Sequence, residues 1–210
     1  NRLVEWSRNF GLGEVTGIDL FGEKEGLVPT PAWKERVKGE KWFLGNTYHM
    51  SIGQGDLLLT PLQVHQMMAI VANGGRRCNP QLVSQVGDGS PVGAVCEELG
   101  FNAEYLETVL EGLVAACQDG GTAYPFFDFS LNQLDESFGE DQVVACKTGT
   151  AQFFDPEDRT HAWFSVFSPS KNPTILITVL LEAAGEGSQQ AAPVAKEALE
   201  YWYGRLQTDS

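Results

Sequence analysis

The residues best suited to chemistry are Lys147-Thr148-Gly149-Thr150, followed by Ala151-Gln152. They stand at the exit of a predicted strand. Extended residues alternate faces, so Thr148 and Thr150 share one side, where two hydroxyls can hold a carboxylate. Gly149 removes a side chain where a substrate would lie alongside the strand. The backbone N–H of Thr150 is a candidate oxyanion donor. Lys147 supplies fixed positive charge for an anionic substrate or for proton traffic.

Other candidates carry blander readings. His49, His65 and His161 are far apart and show no metal-ligand spacing. His65 and His161 read as structural, and His49, near Gly53-Gln54-Gly55, has at most a groove role. Asp155, Glu157 and Asp158 read as a solvated hairpin tip. Gly11-Leu12-Gly13 is followed by Gly17, which misses the dinucleotide spacing. None of Cys78, Cys96, Cys117 and Cys146 forms C-x-x-C. Cys117 and Cys146 read as buried thiols, while a Cys78–Cys96 disulfide is open in an oxidising compartment.

The elements that must position these groups follow from periodicity. Residues 1–10 read as the end of a helix with Leu3, Val4, Trp6 and Phe10 on its apolar side, stopped by Gly11 and Gly13. A long Gly- and Pro-punctuated loop follows to Gly53-Gln54-Gly55, with a short helical turn at Trp33–Lys38; such a loop is expected to serve a site. Thr60, Pro61 and Gln63 give N-cap, first helical residue and capping box of a helix ended by Asn73-Gly74-Gly75. Its apolar face is Leu62, Val64, Met67, Met68, Ile70 and Val71. A second helix starts at Asn102, with Leu106, Val109, Leu110, Leu113 and Cys117 in one stripe. Val143–Cys146, Ala162–Phe167 and Thr174–Leu181 read as strands, the last two antiparallel across Ser168–Pro173. Ile175–Leu181 is apolar on both faces apart from Thr178, so it is expected to be covered on both. A final helix spans about Gln190–Leu206, with Ala191, Ala195, Ala198, Leu199, Trp202 and Leu206 inward. The fold class is α+β: a helical and loop portion at 1–142, then three antiparallel strands and a closing helix at 143–210.

Composition sets the outer limits. The 210 residues carry a net charge of −14, which argues against nucleic acid as a partner. Between Cys78 and Cys146 there are 12 acids and no Lys or Arg, so this stretch holds −12 of that charge and reads as a solvated acidic face. The longest apolar stretch is too short to cross a bilayer, which takes roughly 20 residues. The chain opens Asn1-Arg2-Leu3 and reads as a mature fragment or a cut piece.

A wider set of motifs carries a resemblance. Thr16-Gly17-Ile18-Asp19-Leu20, Glu23, Gly26-Leu27-Val28-Pro29 and Trp33-Lys34 come first. Trp42, Gly45, Thr47, Ser51-Ile52-Gly53-Gln54-Gly55 and Thr60-Pro61-Leu62-Gln63 follow. Ala72-Asn73-Gly74-Gly75, Gly120-Gly121-Thr122-Ala123, Lys147–Gln152 and Ala191-Ala192-Pro193 complete the series. In this order they resemble the transpeptidase domain of class B penicillin-binding proteins, and the W-x-x-G-x-T-x-x-x-S-I-G-Q-G form is similar to that of the elongation-type subfamily, penicillin-binding protein 2. The resemblance is thin over 88–100 and 126–140. K-T-G-T also follows the phosphorylated Asp of P-type ATPases, but here Cys146 occupies that Asp's place.

The resemblance implies a peptidoglycan D,D-transpeptidase that needs no cofactor. A Ser attacks the D-Ala-D-Ala end of a stem peptide, and a second peptide's amine resolves the acyl-enzyme into a crosslink; β-lactams acylate the same Ser. It also implies roles: Lys147 orienting the nucleophile, Thr148 and Thr150 holding the substrate carboxylate, the Thr150 N–H in the oxyanion hole, and Gln152 and Gln54 at the groove edge. It implies a catalytic domain on the outer side of the bacterial cytoplasmic membrane, a membrane glycan polymerase of the SEDS type as partner, and a role in cell shape. Ser168-Pro169-Ser170-Lys171 fits the family's S-x-x-K and Ser7-Arg8-Asn9 its S-x-N, but both are misplaced and read as chance matches. The nucleophile and its Lys are then expected to be absent from these residues, with the penicillin-binding protein/serine β-lactamase-like fold incomplete, one sheet edge uncovered, and the piece inactive alone. A β-lactam sensor domain and a non-catalytic binding remnant are the alternatives.

Overall fold

The computed structural model describes residues 2–134, 138–139 and 142–208, with side chains only to 205 at the carboxy-terminal end. The chain divides into two compact units: Asn1–Ile70 with Arg76–Gly100, and Val71–Gly75 with Phe101–Ser210.

The first unit is built from α1 (Arg2–Asn9), α2 (Pro31–Lys38), α3 (Leu44–Ser51), most of α4 (Pro61–Ala72) and a ribbon of β1 (Arg76–Cys78) and β2 (Cys96–Glu98). Its core is Val4, Leu12, Val28 and Met50. Trp6, expected inward, is exposed. The capping box forms as its residue types dictate: Gln63 N donates to Thr60 Oγ1 at 3.2 Å and Thr60 N to Gln63 Oε1 at 3.0 Å. Gln63 is fully buried and also donates to the carbonyls of Glu14 and Glu25, both at 2.7 Å. A buried polar side chain in the first turn of an apolar helix is tolerated because every group on it is paired. It thereby ties the glycine-rich loop to α4, and a Cβ on Gly26 would stand 2.6 Å from Gln63 Oε1.

That loop is more ordered than its composition suggests. Thr30 caps α2 through Trp33 N (3.0 Å), and Gly39 ends it in the left-handed conformation (φ 69°). Helix α3 interrupts what the sequence presents as continuous loop. Asn46 reaches back to accept from Phe43 N (2.9 Å) and also accepts from Lys34 Nζ (3.0 Å). The Trp42 indole donates to Thr47 (2.8 Å), which explains the W-x-x-G-x-T spacing. Asp19 accepts from the amides of Leu82 and Val83, and these two bonds hold its carboxyl below the usual range.

The second unit carries the three-stranded sheet, order β3 (Ala145–Gln152), β4 (Thr160–Ser168), β5 (Ile175–Leu181), all antiparallel. Helices α5 (Ala103–Cys117), α6 (Leu131–Leu134) and α7 (Ala192–Thr208) accompany it, and Phe126, Phe164, Val166, Ala195, Leu199 and Tyr203 lie at the centre of the core. Asn102 caps α5 through Glu104 N (2.8 Å). The ring of Phe126 stacks on that of Phe164 at 5.2 Å.

Several expectations change here. The K-T-G-T residues lie within β3, which runs on to Gln152, rather than at a strand's exit. Strand β5, an edge of the sheet among the described residues, is half-buried along its whole length rather than fully covered, with Ile175, Ile177, Val179 and Leu181 packed on the core. On α5, Leu113 and Cys117 are buried but Val109 is exposed. On α7, Tyr203 takes the inward place expected of Trp202, its hydroxyl within 2.8 Å of Ser168 Oγ; Ala198 is exposed as well. The side chain of Leu206 lies outside the described residues. Cys117 and Cys146 are not free thiols: they form a disulfide with Cα atoms 5.5 Å apart, and Cys78–Cys96 form another. The eight described acids of the 78–146 stretch are exposed, while Asp135, Glu136, Glu140 and Asp141 lie outside the described residues.

Candidate functional site

Strand β3 pairs with β4 in the register Lys147↔Ser165, Thr148↔Phe164, Gly149↔Trp163 and Thr150↔Ala162. Among the described residues its other edge pairs with no strand. Alternation puts Cys146, Thr148 and Thr150 on one face. Cys146 is fully buried in the core, Thr148 is half-buried and Thr150 is exposed, so this face runs from core to solvent along the motif.

Two neighbours hold the hydroxyls. Thr148 Oγ1 donates to Thr122 Oγ1 at 3.0 Å, and Gly187 N approaches Thr150 Oγ1 at 3.4 Å. Thr122 comes from the turn after α5. Gly187 opens a π-helical turn, Gly187–Ala191, that leads into α7. A Cβ on Gly187 would lie 2.1 Å from Trp163 O and 2.4 Å from Gly149 O, so backbone lies directly on the motif. Sequence reasoning assigned Gly187 no role, because its reason is a tertiary contact rather than a turn.

Gly149 is also explained by its neighbours. A Cβ there would stand 3.1 Å from Trp163 Cβ, so its bareness first serves the packing of β3 against β4. Lys147 is exposed, and its ammonium donates to Thr148 O at 2.5 Å. Gln152 is exposed at the end of the strand. Gln54 belongs to the other compact unit, half-buried after α3, with its backbone N–H donating to His49 O at 2.8 Å.

The remaining candidates resolve as supports. Asp155 is not solvated: its carboxylate is 1% exposed and accepts from Arg159 Nε at 2.6 Å, and that bond lowers its pKa. His161 accepts from Ala183 N through Nδ1 (3.1 Å) and stacks on Phe153 at 4.1 Å. His49 is exposed. Ser168 is fully buried, and Ser7 donates to Leu3 O within its own helix. Neither is presented as a nucleophile. Among the described residues no group of His, Cys, Asp and Glu is placed to hold a metal, and no helix is long and apolar enough to cross a membrane.

Residues 1–200 match the family described as transpeptidase, penicillin binding protein transpeptidase domain. The peptidoglycan D,D-transpeptidase MrdA of Haemophilus influenzae is 31% identical over 216 residues, covering 96% of this chain and 32% of that protein. Pseudomonas aeruginosa PBP2, solved in complex with WCK 5153, superposes with a TM-score of 0.80 at 32% identity, over 96% of this chain and 43% of that one. A chain from a peptidoglycan synthase complex that coordinates polymerization and crosslinking gives 0.79 at 32% identity, over 97% and 33%. The chain thus spans about a third of the length of the curated relative.

Proposed function

Because the chain belongs to the penicillin-binding protein transpeptidase family, we propose that it is the later part of a peptidoglycan D,D-transpeptidase domain of the penicillin-binding protein 2 type. The observation that carries this reading is the edge strand bearing Lys147, Thr148, Gly149 and Thr150, with both threonine hydroxyls held on one face.

In the intact protein a Ser, supplied by the part of the family domain that these residues do not span, attacks the carbonyl between the two D-alanines. The C–N bond breaks, the terminal D-Ala leaves with a proton, and an acyl-enzyme remains. The amine of a second stem peptide attacks that ester, forming the crosslink and returning the Ser proton. Lys147 supplies positive charge beside the nucleophile. Thr148 and Thr150 hold the terminal carboxylate by charge-assisted hydrogen bonds. The Thr150 N–H faces the developing oxyanion. Gln152 borders the groove. A β-lactam presents an acyl bond and a carboxylate in the same relation, so it acylates the same Ser and is not released by the amine.

The setting is the outer side of the bacterial cytoplasmic membrane, with a SEDS-type glycan polymerase as partner and crosslinking in the service of cell shape. Two disulfides suit an oxidising compartment. The likeness to a chain of a peptidoglycan synthase complex supports the partner.

The test is covalent labelling of the full-length protein by a fluorescent penicillin. Labelling of an upstream Ser, reduced about a hundredfold or more by Lys147→Ala, is expected, and the 210-residue piece alone should stay unlabelled. Label found on Ser168 or Ser7, or full labelling of the Lys147→Ala protein, would overturn the assignment.

A further inference from the structure

The Thr122–Thr148 hydrogen bond assigns a role to a residue outside the K-T-G-T strand. A hydroxyl has one proton and two acceptor positions. Thr148 gives its proton to Thr122, which leaves Thr148 an acceptor toward solvent, the wrong polarity for a carboxylate. For Thr148 to donate outward, Thr122 must turn its own proton back onto Thr148. That exchange rotates both O–H bonds and needs a small turn of the exposed Thr122 side chain, because the present geometry suits donation from Thr148 only.

The surrounding structure is arranged to hold the two oxygens at this distance. Cys117, the last residue of α5, is joined by its disulfide to Cys146, two positions before Thr148 and on the same face of the strand. The turn is then closed by Gly121 N to Gln118 O and Ala123 N to Ala116 O, each 2.8 Å. Gly121 admits no side chain, since a Cβ would stand 2.4 Å from Ala115 O. Ala123 is fully buried, so Thr122 sits exposed between fixed neighbours. The disulfide fixes one end of this clamp and the Thr–Thr contact forms the other.

We propose that Thr122 is a positioning residue for the substrate carboxylate: by changing from acceptor to donor it releases the Thr148 hydroxyl to bind the terminal carboxylate. The inference rests on the transpeptidase reading of the same site. It specifies a selectivity, because the relay matters only for a ligand with a negative acceptor at that position.

The experiment uses the full-length protein and two acyl-D-alanyl thioesters, one ending in a free carboxylate and one in a carboxamide. The ratio of their kcat/KM values within a single preparation is independent of the folded fraction. Thr122→Val is expected to lower kcat/KM for the carboxylate probe about tenfold, as for loss of a hydrogen bond to a charged group, with little change for the carboxamide. Thr122→Ser is expected to restore the wild-type ratio. An unchanged ratio in Thr122→Val, or an equal loss on both probes, overturns the role of Thr122 alone. A wild-type protein that reacts with neither probe overturns the transpeptidase reading and this inference with it.

Discussion

Gly187 offers a steric test of the site. Its backbone conformation is open to any residue, so substitution is opposed by space alone. In Gly187→Ala the new methyl would stand 2.1 Å from Trp163 O, 2.4 Å from Gly149 O and 3.0 Å from Gly149 N. All three are strand backbone, and Gly149 and Trp163 are ladder partners, so no side chain can swing aside. The Gly187 segment must withdraw by about 1 Å, and overpacking of this kind costs about 1–3 kcal/mol. The 3.4 Å approach of Gly187 N to Thr150 Oγ1 is already at the limit for a hydrogen bond and would be lost. A domain of about 150–250 residues loses about 2–4 °C per kcal/mol and a larger one less, so the melting temperature of the full-length protein should fall by up to about 12 °C. Gly204 supplies the control: it is exposed within α7, nothing stands near an added Cβ, and Gly204→Ala should stabilise by about 0.5–1 kcal/mol. The assay is thermal unfolding of the two full-length variants, with penicillin acylation of Gly187→Ala expected to slow as the Thr150 hydroxyl loses its contact with Gly187 N. Should Gly187→Ala melt and acylate like the wild type, the segment does not lie on the motif and the reasoning fails.

Three further outcomes can be checked together. The Cys117–Cys146 bond spans 29 residues, so Cys117→Ala with Cys146→Ala should cost about 3–4 kcal/mol on the chain-entropy scale, measured by denaturant unfolding. Brief mild reduction followed by alkylation and peptide mass spectrometry should modify Cys78 and Cys96 first, since Cys96 is exposed while Cys117 and Cys146 are buried. Burial lowers the pKa of His65 from its ordinary 6.5. Below pH 6.5 the unfolded chain therefore binds more protons than the folded one, and stability present above that pH is lost as pH falls toward the folded value. His65→Gln should flatten that limb in unfolding measured between pH 7.5 and 5, a range of about one unit above to 1.5 below the ordinary value.

The parts of the fold legible in the sequence are those whose reasons are local. Thr60 and Gln63 announce α4 because a capping box is closed by residues three apart, and Asn102 announces α5 in the same way. The K-T-G-T strand, its partners and the closing helix follow from period and turn chemistry. Helix α3 was hidden because its first turn is closed by Asn46 behind a Phe, with Gly45 inside it. The choice of Tyr203 over Trp202 is a one-position rotation of a helix, settled by the buried hydroxyl of Ser168. Burial of Cys117 and Cys146 was readable, but their bond was not, since burial suits a thiol equally well. At the site, Thr148 and Thr150 were legible from strand alternation, whereas Gly187 and the Thr122 contact arise from segments 37 and 26 residues away.

The pairing of the cysteines bears on how the chain is made. Four cysteines allow three connectivities, and here the first joins the second and the third joins the fourth, one bond within each compact unit. Each thiol's correct partner is the next or previous one in the chain. A polypeptide delivered amino-terminus first into an oxidising space can therefore close each bond as its second cysteine arrives, before the next pair appears. For these four cysteines the native connectivity then matches the order of emergence.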